Sequence, residues 1–144
     1  MINSKPTTWF WVVAVIALLW NLMGLGAFMA DMMMSPETLA ETYPPDQLAF
    51  LETYPSWTKI FYGLATVGGF LGCIGLLLRK RWALGMFVLS LFGVVVQQAH
   101  SIFLTNAVEV FGNATAIYFP VLILVIAIFM IWFTKNCITK GVLP

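Results

Sequence analysis

The sequence contains few charged residues. Asp, Glu, Lys and Arg make up only 9% of its 144 residues, whereas they make up about 25% of a typical soluble domain. Apolar residues make up 61%, against roughly 45–50% in soluble domains. A chain of this composition cannot cover its folded surface with polar groups, so we exclude a water-soluble globule and predict an integral membrane protein in contact with the lipid bilayer. The formal net charge of +1 provides no basic surface for nucleic acid.

Cysteine and histidine are also scarce. The two cysteines, Cys73 and Cys137, are too few for a disulfide framework and are not arranged as the pair of a thiol oxidoreductase. His100 is the single histidine, so a haem with two histidine ligands could only bridge two protomers. Because of these low counts, a redox or quinone-handling subunit is the interpretation least consistent with the sequence. The sequence shows no phosphate-binding loop or metal-ligand cluster, so we predict a non-enzymatic protein without a cofactor or metal.

Four apolar runs are long enough to cross a bilayer as helices. A hydrocarbon core of about 30 Å requires roughly 20 apolar residues per helix, and residues 8–30, 57–78, 82–104 and 114–134 meet this requirement. The first run is longer than the apolar region of a signal peptide, so we expect it to be retained; its cleavage would leave three spans. No stretch remains for a soluble domain, and we predict a single all-α, four-helix transmembrane domain over residues 1–144.

The distribution of charge predicts the orientation in the membrane. Lys and Arg residues favour the cytoplasmic side of short loops. With a cytoplasmic N-terminus, six of the seven basic residues lie inside and all six acidic residues lie outside. The opposite orientation would place Arg79, Lys80 and Arg81 on the outer face. We therefore predict that both termini are cytoplasmic.

Residues 31–56, between the first two spans, are predicted to form a short helical cap. Ser35 followed by Pro36 and Glu37 is typical of a helix start, with an N-cap residue, a proline in the first turn and an acidic residue behind it. The prolines at positions 44 and 45 end this helix and begin another. The second helix is too apolar for a free tether, so we expect the cap to lie on the outer end of the bundle or in the headgroups. It is either an ordered connector or a functional lid.

Small residues mark where the helices are expected to meet. Because water does not drive association inside lipid, close helix contacts are enriched in small side chains. Gly68, Gly72 and Gly75 share one face of the second span at 100° per residue, and Gly93 belongs to the third span. We predict helix packing at these glycines; a substrate-facing groove is the alternative. The second span also has another face of small residues, which predicts a second neighbour or another protomer: Gly63, Thr66, Gly69 and Cys73.

Polar side chains from three spans are predicted to lie at one depth. At ~1.5 Å per residue, Asn21, Thr66 and Gln97 are about 18–22 Å from the cytoplasmic ends of their helices. Polar side chains facing hydrocarbon would lack hydrogen-bond partners, so they are expected to face the interior. They either bond one another to hold the helices together or form a site for a solute. With the residues beside and above them, the candidate pocket consists of Trp20, Asn21, Asp31, Thr66, Gln97, His100 and Ser101.

Two roles are consistent with His100. It is either a neutral imidazole that donates to a backbone carbonyl or to Asp31, or a proton-sensing or ligand-binding group, because imidazole titrates near physiological pH. Gln98 points about 100° away from Gln97 and is expected to face the fourth helix or a second protomer. The fourth span is mostly Val, Leu, Ile and Phe and is expected to face lipid the most. Pro120 predicts a modest kink in it.

Four segments together resemble a known group of proteins: Trp20-Asn21-Leu22-Met23-Gly24, Gly68-Gly69-Phe70-Leu71-Gly72-Cys73, Arg79-Lys80-Arg81-Trp82-Ala83-Leu84 and Gln97-Gln98-Ala99-His100-Ser101. They resemble small four-span bacterial inner-membrane proteins, usually classed as uncharacterised and sometimes loosely labelled "sugar transporter". The resemblance covers nearly the whole chain. It implies a multi-pass protein of the bacterial inner membrane and supplies no catalytic or binding residue. The architecture is also similar to the broad DoxX-like group of four-helix membrane proteins.

The sequence leads to one main hypothesis and one alternative. The main hypothesis is a non-enzymatic inner-membrane protein that self-associates or joins a membrane-protein partner, with a polar pocket opening outward between the first three spans. The alternative is a transporter of a small neutral polar solute such as a sugar. Four spans are few for alternating access, which usually relies on paired repeats, so a transporter would have to act as a homo-oligomer.

Overall fold

A computed structural model describes residues 5–52 and 55–143, and within these ranges it is built of helices and contains no strand. The elements follow one another along the chain as α1 (Thr8–Met33), α2 (Pro36–Thr42), α3 (Pro45–Glu52), α4 (Trp57–Leu77), α5 (Trp82–Phe103), α6 (Ala107–Phe111), a π-helical turn (Ala114–Tyr118) and α7 (Phe119–Thr139).

Four of these helices are long and apolar enough to cross a membrane: α1, α4, α5 and α7 with the last residues of the π-helical turn. The predicted all-α bundle with a helical cap after its first helix is therefore confirmed, and the chain is a small membrane protein. The first three long helices begin where the sequence predicts. The fourth extends to Thr139, beyond the predicted end at residue 134, because the polar residues after that position still continue the helix.

The long helices are arranged in the order α1, α4, α5, α7, each packed on the next. The α4–α5 contact is the most extensive, and the predicted glycines form it. A Cβ added at Gly68 would lie 3.2 Å from the Met86 carbonyl oxygen, and one at Gly72 would lie 2.7 Å from the Phe87 ring. Gly75 and Gly93 approach α5 and α4 as closely. Small side chains thus allow these two backbones to touch.

The second small face of α4 packs against α1. The Phe28 ring covers Gly63, and the Asn21 amide covers Gly69. Of the two alternatives that this face predicts, a second neighbour or another protomer, the structure shows a second neighbour within the chain. Since α4 contacts α1 on one face and α5 on the other, it is the central helix of the bundle.

The cap is held by a small apolar cluster of its own. The Ser35 hydroxyl accepts a hydrogen bond from the Thr38 N–H at 3.2 Å, which caps α2 as its sequence indicates. Phe50 of α3 is buried and meets the Phe111 ring edge to face at 5.3 Å. Ala107 and Ala116 complete this cluster. Because Phe111 belongs to α6, the cap is attached to the connection between α5 and α7.

A π-helical turn precedes Pro120. The Phe119 N–H donates to the Ala114 carbonyl, five residues earlier. Pro120 has no N–H to continue an α-helical ladder, and the wider turn takes up the irregularity that the sequence predicts as a kink. Such turns are rare and often occur at functional sites.

The opposite end of the bundle is closed by the chain itself. We call it the basic end, because it carries Arg79, Lys80 and Arg81. The Nε–H groups of Arg79 and Arg81 donate to the carbonyls of Val142 and Leu143 at 3.0 and 3.2 Å. Leu143 is fully buried in the main core cluster.

Candidate functional site

A cavity of about 670 Å³ lies between the four long helices and under the cap. This volume is within the range of small-molecule sites in proteins, roughly 300–1,000 Å³. All four long helices contribute to its walls, and α2, α3 and α6 contribute residues at the cap end: Leu39, Tyr43, Phe50, Leu51, Ala107 and Phe111. The predicted outer mouth of the pocket is thus lined by the cap.

The walls of the cavity differ in polarity. The α1, α4 and α5 walls carry Asn21, Thr66, Gln97, Gln98 and Ser101. The α7 wall is wholly apolar and consists of Phe119, Pro120, Ile123, Ile126, Ala127 and Met130. The cavity therefore presents hydrogen-bonding groups on one side and hydrocarbon on the other.

Six of the seven candidate pocket residues line this cavity: Trp20, Asn21, Asp31, Thr66, Gln97 and Ser101. His100 does not line it. Its imidazole is buried and meets the Trp57 ring edge to face, with ring centroids 4.9 Å apart. The side chain lies between α5 and the start of α4, and the structure separates it from the other six.

The Asn21 amide connects α1 to α4. Its Nδ2 donates to the Ala17 carbonyl at 2.8 Å and to the Cys73 sulfur at 3.4 Å. A Cβ added at Gly69 would lie 2.1 Å from the Asn21 Oδ1, so the glycine makes room for this amide. The partner of Asn21 across the interface is a thiol and not Gln97. The amide nitrogen thus donates once within α1 and once to α4, and the second bond holds the two helices together.

The hydroxyl groups of Thr66 and Ser90 donate to backbone carbonyls. The Thr66 hydroxyl donates to the carbonyls of Tyr62 and Gly63 in its own helix, at 3.1 and 3.3 Å. The Ser90 hydroxyl donates to the Ala65 carbonyl at 2.6 Å and links α5 to α4. Thr66 therefore provides no interhelical bond, and Ser90, which the sequence reasoning did not select, provides one.

Gln97 and Gln98 differ from these residues. Both are half-buried, and both line the cavity. Among the described residues, neither side-chain amide has a hydrogen-bond partner. Each amide carries two donors and an acceptor oxygen. The two glutamine amides are thus polar groups of the cavity that the described residues leave unused.

Among the described residues of the cavity lining, the charged side chains lie toward the cap end. Asp31 and Lys59 are both exposed and line its rim. The Tyr62 hydroxyl lies near the Asp31 carboxylate and interacts with it electrostatically, which connects the end of α1 to α4. The middle of the cavity lining is uncharged, so its chemistry is suited to a neutral molecule.

Most of the apolar lining could not be identified from the sequence. Phe87 and Met130 are buried cavity residues, but their residue types do not distinguish a cavity wall from a lipid-facing helix. Gln98 was expected to need a different partner from Gln97, yet the two line the same cavity. The sequence feature that indicates a shared cavity is the pair of adjacent amides, Gln97 and Gln98, in an otherwise apolar helix.

No group of three or more His, Cys, Asp and Glu side chains in the described part of the chain is placed to hold a metal ion. Comparison with known proteins identifies no relative: no protein-family model matches the sequence, and no curated protein or solved structure is significantly similar to it.

Proposed function

We propose that the protein binds a neutral small molecule, one with an apolar body and a hydrogen-bonding group, in the cavity between its transmembrane helices. The observation that carries this proposal is the pair of glutamine amides, Gln97 and Gln98, which face the cavity without a partner among the described residues. Both amides are half-buried and belong to an apolar bundle, where little water competes for their donors and acceptors. A ligand with a hydroxyl or carbonyl group would supply the hydrogen bonds that the described residues do not.

The apolar α7 wall favours an amphipathic ligand over a sugar. A sugar carries hydroxyl groups around its whole ring, and each would need a partner on burial. The wall from Phe119 to Met130 offers hydrocarbon only. A ligand with its polar group on Gln97 and Gln98 and its apolar part on α7 satisfies both sides of the cavity.

The protein is accordingly a non-enzymatic binding protein in this proposal, with no cofactor. Self-association, a membrane-protein partner and sugar transport by an oligomer remain predictions from the sequence. In the membrane, the proposed orientation has the basic end in the cytoplasm and the cap outside, as the distribution of Lys and Arg favours.

The proposal is tested by measuring ligand occupancy in native mass spectrometry. The protein is released from nanodiscs that contain 1-monooleoylglycerol, which combines an acyl chain, an ester carbonyl and two hydroxyl groups. We expect one bound molecule. Substituting Gln97→Leu and Gln98→Leu together should weaken binding roughly tenfold, since a tenfold change in affinity corresponds to about 1.4 kcal/mol.

The matched control is Gln47→Leu, which makes the same change in α3 at a half-buried residue that does not line the cavity. It should leave occupancy unchanged. Equal occupancy in the wild type and the double variant would show that the amides do not recognise the ligand. Absence of any bound probe in the wild type, with a hexose retained instead, would favour the sugar alternative.

A further inference from the structure

We infer that the ligand enters from the bilayer, between α1 and α7, and that it is a single-chain neutral amphiphile dissolved in the membrane. This inference rests on the proposed binding function and adds the route and the class of ligand. We call the line where α1 and α7 face each other the seam, defined by Trp20 and Met23 on α1 and Phe119 on α7.

The seam is the side of the bundle where helix packing is weakest. Each long helix packs on the next in the order α1, α4, α5, α7, while α1 and α7, the two ends of this series, form no comparable backbone contact. Aromatic side chains bridge them instead. The rings of Trp20 and Phe119 are 6.2 Å apart at a tilt of 50°, and those of Phe10 and Phe133 stack 6.0 Å apart nearer the basic end.

The cavity reaches the lipid-facing surface at this seam. Met23 and Phe119 both line the cavity, yet they are 71% and 52% exposed. A side chain that borders the cavity and is also mostly exposed must stand at an opening. The opening is therefore closed by movable side chains and not by a packed backbone.

The depth of the opening indicates what can pass through it. At ~1.5 Å per residue, Trp20 and Met23 are about 18 and 22 Å along α1 from Thr8. A hydrocarbon core of about 30 Å includes both positions. The opening thus faces acyl chains and not water, so a molecule that passes through it comes from the bilayer.

The volume of the cavity limits the ligand to one chain. The cavity of about 670 Å³ is within the range of sites for single small molecules, roughly 300–1,000 Å³. A single acyl or prenyl chain with a small head fits this range, whereas a phospholipid with two long chains exceeds it. The uncharged middle of the lining, with Gln97 and Gln98, selects a head with hydroxyl or carbonyl groups.

The test measures the rate of ligand exchange. Protein loaded with 1-monooleoylglycerol in nanodiscs is mixed with an excess of the deuterated compound, and native mass spectrometry follows the replacement of the bound molecule with time. Phe119→Ala removes the ring contact between Phe119 and Trp20 at the seam. It should speed exchange roughly 3- to 10-fold, the factor expected from the loss of one aromatic pair, while occupancy is measured separately at equilibrium.

The matched control is Phe92→Ala. Phe92 is 55% exposed on α5, makes a ring contact with Phe61 at 5.9 Å and does not line the cavity. Its substitution should leave the exchange rate unchanged. A second variant tests entry past the cap, the other route into the cavity. This variant is Tyr43→Ala, because Tyr43 lines the cavity from the cap.

The outcomes separate the two proposals. Faster exchange in Phe119→Ala, with Tyr43→Ala and Phe92→Ala unchanged, supports entry through the seam. Faster exchange in Tyr43→Ala alone, or in no variant, overturns the lateral route while leaving the binding function in place. If the wild type retains no probe, the binding function fails and the route fails with it.

Discussion

Single glycines determine how closely α4 and α5 approach. At Gly93, a Cβ would lie 2.7 Å from the Phe61 carbonyl oxygen and 2.9 Å from the Ala65 nitrogen. Both are backbone atoms, so no side-chain rotation can relieve the overlap. Gly85, on the same helix, has no atom within 4 Å of the corresponding position. The two glycines therefore have different roles despite their common helix.

We predict that Gly93→Ala lowers the free energy of unfolding by about 1–3 kcal/mol, the usual cost of overpacking. Gly85→Ala should be neutral or stabilising by up to about 1 kcal/mol, because alanine favours the helix over glycine. Unfolding of the purified protein in mixed micelles, titrated with sodium dodecyl sulfate, measures both values. Equal effects at the two positions would contradict a packing role specific to Gly93.

The spacing of the glycines on α4 was predictable from the sequence because it depends only on the helical period. The partner of Asn21 was not predictable. It bonds to Cys73, which is 52 positions away in the chain, and only the rotation of α1 against α4 brings the two together. The burial of His100 against Trp57 depends on the same kind of long-range placement.

At the scale of helices, the end of α4 has an unusual backbone. Arg79 has φ of 56°, a left-handed conformation that glycine normally supplies at this position of a helix C-cap. The Arg79 N–H donates to the Leu76 carbonyl at 2.9 Å, and the Lys80 N–H donates to the Gly75 carbonyl at 2.8 Å. In this conformation the Arg79 side chain donates its hydrogen bond to the Val142 carbonyl.

Comparing two substitutions at Arg79 isolates the contribution of its left-handed backbone conformation to the free energy of unfolding. Arg79→Gly and Arg79→Ala both lose the guanidinium, but only alanine keeps the left-handed penalty, so the glycine variant should be more stable by about 1 kcal/mol. Lys135 is an exposed residue within α7. There the glycine variant should be less stable than the alanine variant by roughly 0.5–1 kcal/mol. The same detergent titration applies, and the same sign at both positions would contradict the assignment.

At the scale of the whole molecule, the two ends of the bundle carry opposite charge. The basic end holds the turn from Arg79 to Arg81, with Lys140 beyond the end of α7. The cap carries acidic residues: Glu37, Glu41, Asp46 and Glu52. This asymmetry predicts a cytoplasmic basic end.

Single added cysteines test that orientation. Glu41→Cys and Lys140→Cys replace exposed residues at opposite ends, while the native Cys73 and Cys137 are buried. In intact cells whose plasma membrane is accessible, an impermeant maleimide should label Glu41→Cys at once and Lys140→Cys only after permeabilisation. Labelling in the reverse order would invert the proposed topology.

The sequence by itself determined the membrane class, the four spans, the helical cap and the glycine faces, because hydropathy, helix-start residues and the helical period act within one segment. The tertiary structure alone decided that the apolar face of α7 closes one side of the cavity, that Gln97 and Gln98 share that cavity, and that the rings of Trp20 and Phe119 bridge α1 and α7 at the cavity. The physical reason is that these features depend on the rotation and order of the helices. In an apolar bundle, hydrophobicity does not specify either, because a lipid-facing side chain and a cavity-facing side chain are chemically alike.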